Sequence, residues 1–100
     1  MKLKIIFLGG SNFQSFAYLK AKKMGHETIC IDYLKNSPGH KLANYSFVEN
    51  STDKNKVLNI AKKLNVSAII PYASDPSAFT ANLVSKKLKL KHNNLKSIKI

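Results

Sequence analysis

The sequence contains no arginine and no tryptophan, and only one of its 100 residues is a cysteine. A single cysteine, Cys30, cannot form a disulfide within the chain, which fits a reducing compartment, and we expect a cytoplasmic protein. Arginine is the side chain best suited to bidentate contacts with bases and phosphates, so its absence argues against specific nucleic-acid binding. No apolar run approaches the roughly 18 residues that a membrane-spanning helix needs, so we expect no membrane segment.

Acidic residues are also few: five, against 17 lysines, which gives a formal net charge of +12. The lysines fall mostly in segments with helical periodicity, a pattern typical of solvated helix faces, although the net charge alone predicts weak, salt-sensitive binding to polyanions. Five carboxylates give little support for acid–base catalysis within this chain, so we assign no catalytic residue. The three histidines are widely separated and lack metal-ligand spacing, so we predict no metal site.

The first third of the chain has the pattern of a strand, a helix and a second strand. Leu3–Leu8 is a short, nearly continuous apolar run, as expected for a strand buried on both faces of a parallel sheet. Gly25 follows at the expected end of the helix, and Thr28–Ile31 forms the second strand, which ends at Asp32. The predicted apolar stripe of the helix consists of Phe13, Phe16, Ala17, Ala21 and Met24.

The remainder continues the alternation after Tyr33–Asn44, which we interpret as a loop. Tyr45–Val48 is a possible short edge strand, and Ser51-Thr52-Asp53 precedes a helical stripe that Asn65 closes. Val66–Ile70 is a further strand. The stripe of the last helix consists of Phe79, Leu83, Val84 and Leu88. These elements predict a three-layer α/β/α Rossmann-like domain with a parallel sheet of about four strands in the order 3-2-1-4.

Two loops border the point where that strand order reverses, which is where ligands bind in open α/β sheets. The first is Gly9-Gly10-Ser11-Asn12, and the second runs from Tyr72 through Ser74 and Asp75 to Pro76. Each opens a helix, where backbone N–H groups and the helix dipole favour an anion. We therefore predict a substrate-binding site formed by two short runs, Gly9, Gly10, Ser11, Asn12 and Ser74, Asp75.

Neither loop carries a specific nucleotide-binding motif. Counted from Gly9, a G-x-G-x-x-G fingerprint meets Ser11 and Gln14 at its later glycine positions, and no P-loop is present. The first loop is therefore either a tight strand-to-helix turn, a substrate contact, or both. Asp32 either closes the following loop or, as in dinucleotide domains, holds a ribose, and Asp75 is either a helix N-cap or a substrate contact.

Several segments taken in order resemble the amino-terminal domain of ATP-grasp enzymes, in particular carbamoyl-phosphate-synthase-like members and related carboxylate–amine ligases. The segments are KIIFLGGSNFQ, AYLKAKKMGHET, TICIDYLKNSPGHKLAN, STDKNKVLNIAKKL and AIIPYASDP, and the likeness covers residues 3–92. The resemblance implies a pre-ATP-grasp domain at 1–92 and the start of a linker at 93–100. It also implies that Gly9, Gly10 and Ser11, together with Ser74 and Asp75, face the acceptor substrate.

The resemblance further implies a parent enzyme that uses ATP and magnesium to convert a carboxylate into an acyl phosphate, which an amine then attacks. No cofactor is expected in this fragment, which would be inactive alone, because the ATP clamp belongs to later domains. Expected partners are those domains, in the same or a split-gene polypeptide, the small carboxylate and amine substrates, and a second copy in a homodimer.

One departure from the family pattern concerns the loop after Pro38-Gly39, where Asn44 stands in place of a frequent aspartate. If that acid orders the loop, Asn44 can replace it by hydrogen bonding, whereas a substrate contact would imply a different substrate. The alternative for the whole chain is a free-standing Rossmann-type module that binds a small ligand or a nucleotide.

Overall fold

A computed structural model describes residues 2–71 and 75–90 of the chain. Four strands alternate with four helices in those ranges, and their bounds are β1 Lys4–Leu8, α1 Asn12–Lys23, β2 Glu27–Ile31, α2 Pro38–Leu42, β3 Tyr45–Phe47, α3 Lys54–Leu64, β4 Ala68–Pro71 and α4 Asp75–Lys87. None of the described helices is long and apolar enough to cross a membrane.

The four strands form one parallel sheet in the order β3-β2-β1-β4, as the sequence predicts. The register pairs Leu8 at the end of β1 with Ile31 of β2 on one side and with Pro71 of β4 on the other. The chain therefore leaves β1 and β4 at neighbouring points on the same edge of the sheet.

Alternate residues of the strands build two separate cores, one on each face of the sheet. On one face, Ile5, Phe7 and Cys30 pack with Tyr18 and Ala21 of α1. On the other face, a second apolar cluster joins the sheet to α3 and α4; it consists of Ile6, Leu8, Ile29, Ile31, Val57, Ile60, Ala61, Val66, Ile69, Ala81 and Val84. Helices therefore cover both faces, which confirms the three-layer prediction.

The helix ends follow the capping signals in the sequence. Asp53 caps α3 by accepting a hydrogen bond from the Lys56 N–H at 3.2 Å. Asn65 ends α3 in the left-handed region with φ 53°. Gly25 follows α1 with φ +88°, a conformation that glycine adopts without steric cost.

Three sequence-based expectations are wrong. The segment 33–44 is not a loop throughout, because it contains the short helix α2. On α1, Phe16 and Met24 are exposed, whereas the buried face carries Gln14, Tyr18 and Ala21. On α4, Phe79 is also exposed. The rest of each stripe is partly confirmed, since Ala21 and Val84 are buried, but polar side chains share the buried face with them.

Candidate functional site

The candidate site lies at the carboxyl ends of β1 and β4. Because α1 packs on one face of the sheet and α4 on the other, their amino-terminal ends approach this edge from opposite sides. Of the six predicted site residues, Gly9, Gly10 and Ser11 join β1 to α1, and Asn12 is the first residue of α1. Asp75 begins α4. Ser74 and the side chains of Asn12 and Asp75 lie outside the description, so their contacts stay predictions.

The two glycines after β1 use their backbone N–H groups within the fold. Gly9, with φ +115°, donates to the Ile31 carbonyl oxygen at 2.8 Å. Gly10 donates to Oδ2 of Asp32, also at 2.8 Å. These two donors therefore serve the loop itself, and the orphan N–H groups available at this end are those of the first turn of α1.

Asp32, at the end of β2, holds this loop in shape. Its Oδ2 accepts the Gly10 N–H and its Oδ1 accepts the Leu34 N–H, both at 2.8 Å, and the residue is only 9% exposed. Both carboxylate oxygens are thus engaged by backbone donors. This geometry favours the loop-closing interpretation of Asp32 over a ribose contact.

The helix α2 closes the loop from the side, at a point where two glycines meet. Gly39 donates its N–H to the Gly10 carbonyl oxygen at 2.8 Å. A Cβ atom on Gly39 would lie 2.6 Å from the Gly10 Cα and 3.0 Å from the Tyr18 ring. The close approach therefore requires glycine at position 39, and Pro38-Gly39 is the sequence signal that could have located this contact.

Tyr18 and Cys30 are buried beneath the loop. The Tyr18 hydroxyl donates to the Gly9 carbonyl oxygen at 2.7 Å, and its ring packs on Phe7. Burial raises the pKa of Tyr18 well above its ordinary value. Burial likewise raises the pKa of the Cys30 thiol to about 11, although a hydrogen bond with Tyr18 opposes the shift. Cys30 is therefore protonated at neutral pH and is a packing residue rather than a nucleophile.

Two polar side chains on the first turn of α1 have no partner among the described residues. Ser11 is the N-cap residue, and its side chain makes no cap hydrogen bond. Its Oγ atom and the Oε1 atom of Gln14 are both buried and unpaired. In the sequence pattern Gln14 stands out only as a missing glycine of the dinucleotide fingerprint.

Asn44 and His40 order the chain between α2 and β3. The Asn44 side-chain oxygen accepts the Thr28 N–H at 2.9 Å, so Asn44 orders the loop by hydrogen bonding, as one of the two sequence-based alternatives requires. The His40 Nε2 lies 3.0 Å from the Asp32 carbonyl oxygen, which can only accept, so Nε2 carries the hydrogen. His40 Nδ1 then accepts from the Ser46 hydroxyl.

Within residues 2–71 and 75–90, no three His, Cys, Asp or Glu side chains come together in a way that could hold a metal ion. The polar groups at the candidate site, among the residues described, are backbone donors at a helix end, a hydroxyl and a carboxamide.

Comparisons with known proteins give a consistent set of relatives. A formate-dependent phosphoribosylglycinamide formyltransferase from Prochlorococcus marinus (strain MIT 9515) is 37% identical over 68 residues, which are 68% of this chain and 17% of that protein. N5-carboxyaminoimidazole ribonucleotide synthetase from Thermotoga maritima has a TM-score of 0.74 at 22% identity, over 90% of this chain and 24% of that one. The Bordetella bronchiseptica enzyme WbmG in complex with NAD has a TM-score of 0.77 at 12% identity, over 93% of this chain and 36% of that one.

The two structural likenesses show the fold alone, since both identities are low. No family model matches the chain. The chain spans 17–18% of the length of the first curated relatives it matches.

Proposed function

This chain is a pre-ATP-grasp domain, homologous to the amino-terminal region of ATP-grasp enzymes, and we propose that it forms the acceptor-substrate side of an ATP-dependent ligase. The observation that carries the proposal is the adjacency of the carboxyl ends of β1 and β4 in a chain whose relatives are such enzymes. The substrate site would comprise Gly9, Gly10, Ser11 and Asn12 from one loop, and Ser74 and Asp75 from the other.

The names of the relatives suggest the substrates. The Prochlorococcus protein is a formate-dependent phosphoribosylglycinamide formyltransferase, so we propose formate as the carboxylate and phosphoribosylglycinamide as the amine. In the acyl-phosphate mechanism, a formate oxygen attacks the γ-phosphorus of ATP and ADP leaves. The amine then attacks the formyl carbon, phosphate leaves, and the amine loses a proton to give the formamide.

In this reaction the domain contributes binding rather than chemistry. The first turn of α1 offers N–H groups and the positive end of a helix dipole, which favour the substrate phosphate. Asp32, Tyr18 and Gly39 hold the loop that presents this turn. A substrate held in a fixed position reacts faster because the entropy of alignment has already been lost.

ATP and magnesium fit the rest of the polypeptide rather than this fragment. The sequence has no P-loop, and the described residues lack a cluster of metal ligands. We propose that later ATP-grasp domains, in the same or a split-gene polypeptide, supply both sites, that the fragment is inactive without them, and that the protein works in the cytoplasm. A homodimer is compatible with this arrangement.

The alternative is a free-standing nucleotide-binding module of Rossmann type, whose fold this chain shares. Two observations oppose it. Gln14 stands where the fingerprint requires its third glycine, and both oxygens of Asp32 already accept backbone hydrogen bonds.

The decisive experiment assays the full polypeptide that contains this chain. We expect formylation of phosphoribosylglycinamide that depends on both formate and ATP, measured as ADP release and formamide formation. Activity with neither this amine nor a related phosphoribosyl amine would exclude the proposed acceptor class. For the fragment alone, we expect no ATPase activity and little ATP affinity. Micromolar ATP binding in calorimetry would contradict the proposal that later domains supply the ATP site.

Asp75→Asn in the full polypeptide tests the second loop. If Asp75 is only a helix cap, asparagine still caps the helix and only the interaction of the charge with the helix dipole is lost, so the unfolding free energy falls by about 0.3–1 kcal/mol while the kinetics stay near normal. If Asp75 contacts the substrate, as proposed, the KM for the amine rises and the melting temperature does not change.

A further inference from the structure

The buried, unpaired atoms at the start of α1 point to a specific ligand contact. Ser11 and Gln14 occupy the N-cap and third helical positions, the spacing of a capping box, in which each side chain bonds to the other residue's backbone N–H. The structure does not form that box. The Gln14 N–H instead donates to the Ser11 carbonyl oxygen at 2.9 Å, and neither Ser11 Oγ nor Gln14 Oε1 has a partner in the described ranges.

The carboxamide of Gln14 is directed into the loop rather than outward. The residue is only 8% exposed. Its Oε1 atom would lie 2.6 Å from a Cβ atom on Gly9, so glycine at that position makes room for the carboxamide. An acceptor oxygen therefore lies over the backbone at the carboxyl end of β1, beside the first turn of α1.

An unpaired buried acceptor is costly. Leaving such a group without a hydrogen bond costs about 1–3 kcal/mol, and native proteins keep few of them. Two such atoms within one helical turn, at the end of the sheet where ligands bind, are therefore explained if a ligand completes their hydrogen bonds. Because Oε1 can only accept, that ligand must bring an N–H or O–H group.

We propose that Gln14 Oε1, assisted by Ser11 Oγ, accepts a hydrogen bond from a hydroxyl or amine of a phosphorylated substrate whose phosphate lies at the first turn of α1. This assignment rests on the proposed function and adds a specificity-determining residue to it. A pyrophosphate has no hydrogen to donate to Gln14 Oε1, so this carboxamide oxygen disfavours a dinucleotide at the same position.

The test uses the chain itself, with NMR titration of two probes followed at the amides of Gly9, Gly10 and Ser11. Ribose 5-phosphate offers hydroxyls and a phosphate, and phosphoribosylglycinamide adds an amine. The variant Gln14→Met keeps the length of the side chain and removes the acceptor. Ser85→Ala is the matched control, because Ser85 Oγ is also buried and unpaired but lies ten residues along α4, roughly 15 Å from its start.

We expect Gln14→Met to weaken probe binding about 3- to 10-fold, the loss of one neutral hydrogen bond, while Ser85→Ala binds like the wild type. Weakening for both probes assigns the donor to a ribose hydroxyl, and weakening for phosphoribosylglycinamide alone assigns it to the amine. Ser11→Ala should act in the same direction, and it provides a second variant if Gln14→Met does not fold.

The contrary outcomes separate the two proposals. Wild-type binding that Gln14→Met leaves unchanged overturns this inference and leaves the proposed function standing, whereas failure of the wild type to bind either probe overturns both. Unfolding of the ligand-free chain gives an independent check. A Gln14→Met variant that is clearly less stable than Ser85→Ala would show that the carboxamide already has a partner, and that also overturns the inference.

Discussion

The contact between Gly10 and Gly39 predicts a large effect from a single added methyl group. In Gly39→Ala the new Cβ would lie 2.6 Å from the Gly10 Cα, about 1 Å closer than the 3.5–4.0 Å of an ordinary carbon–carbon contact. The loop cannot easily retreat, because the hydrogen bonds from Gly10 to Asp32 and from Gly39 to Gly10 are both 2.8 Å long. Overpacking of this kind costs typically 1–3 kcal/mol, and we take the upper end, about 3 kcal/mol.

The higher helix propensity of alanine partly offsets the cost of the clash. Alanine is preferred over glycine within a helix by about 1 kcal/mol, which leaves a net loss of about 2 kcal/mol in the unfolding free energy. For a chain of this size, such a loss lowers Tm by about 8–16 °C. Urea unfolding and thermal denaturation followed by circular dichroism would measure both quantities.

Gly25→Ala is the matched control for this prediction. A Cβ on Gly25 would meet no atom within 4 Å, but the φ of +88° at this position strains any L-residue. The stability that Gly25→Ala loses therefore measures backbone strain without a clash. That loss should be about 1–2 kcal/mol. The reasoning from close packing would be refuted if the unfolding free energy of Gly39→Ala lay within about 0.5 kcal/mol of the wild-type value and fell less than that of Gly25→Ala.

Three further predictions concern single side chains. Asp32→Asn should lower the unfolding free energy by about 1–3 kcal/mol, because an NH₂ group would then face one of two backbone N–H donors; an unchanged urea midpoint would contradict this. Asp53→Ala removes the cap of α3 and should cost about 1 kcal/mol in the same assay, with no loss expected if the cap is dispensable. For Cys30, the unfolded thiol ionises from about pH 9 while the folded thiol keeps its proton to about pH 11. The unfolding free energy therefore falls as the pH rises from 9 towards 11, by at most about 1.4 kcal/mol per pH unit. If the wild type and Cys30→Ala lose the same unfolding free energy over this pH range, the thiol is not buried.

The sheet was predictable because its signals are local and strong. Short apolar runs such as Leu3–Leu8, separated by helical segments, require parallel strands with right-handed crossovers, and these restrict the strand order. Asn65 closes α3 as expected, since asparagine tolerates the left-handed region. These features depend on periodicity and backbone chemistry within one element.

The details of the site depend on contacts between distant segments, and the sequence pattern does not contain them. The helix α2 is five residues long, and its Gly39 contacts a loop 29 positions earlier in the chain. On α1 the pattern assigns Phe16 to the core, although Phe16 is 69% exposed and Gln14 is buried. Apolarity marks a core-facing residue only on average, and a buried carboxamide beside the loop after β1 is an exception that the pattern cannot identify.

The bonds from Asp32 and Gly39 to Gly10 also set an order of assembly during synthesis. The ribosome makes the loop after β1 before it makes the partners that fix the loop's shape, which are 22 and 29 residues further on. Until those residues have emerged and β2 has paired with β1, the loop has no stable conformation to present. The loop is thus translated before its partners but completed only after them, and a nascent chain halted before Gly39 would lack this ordered loop.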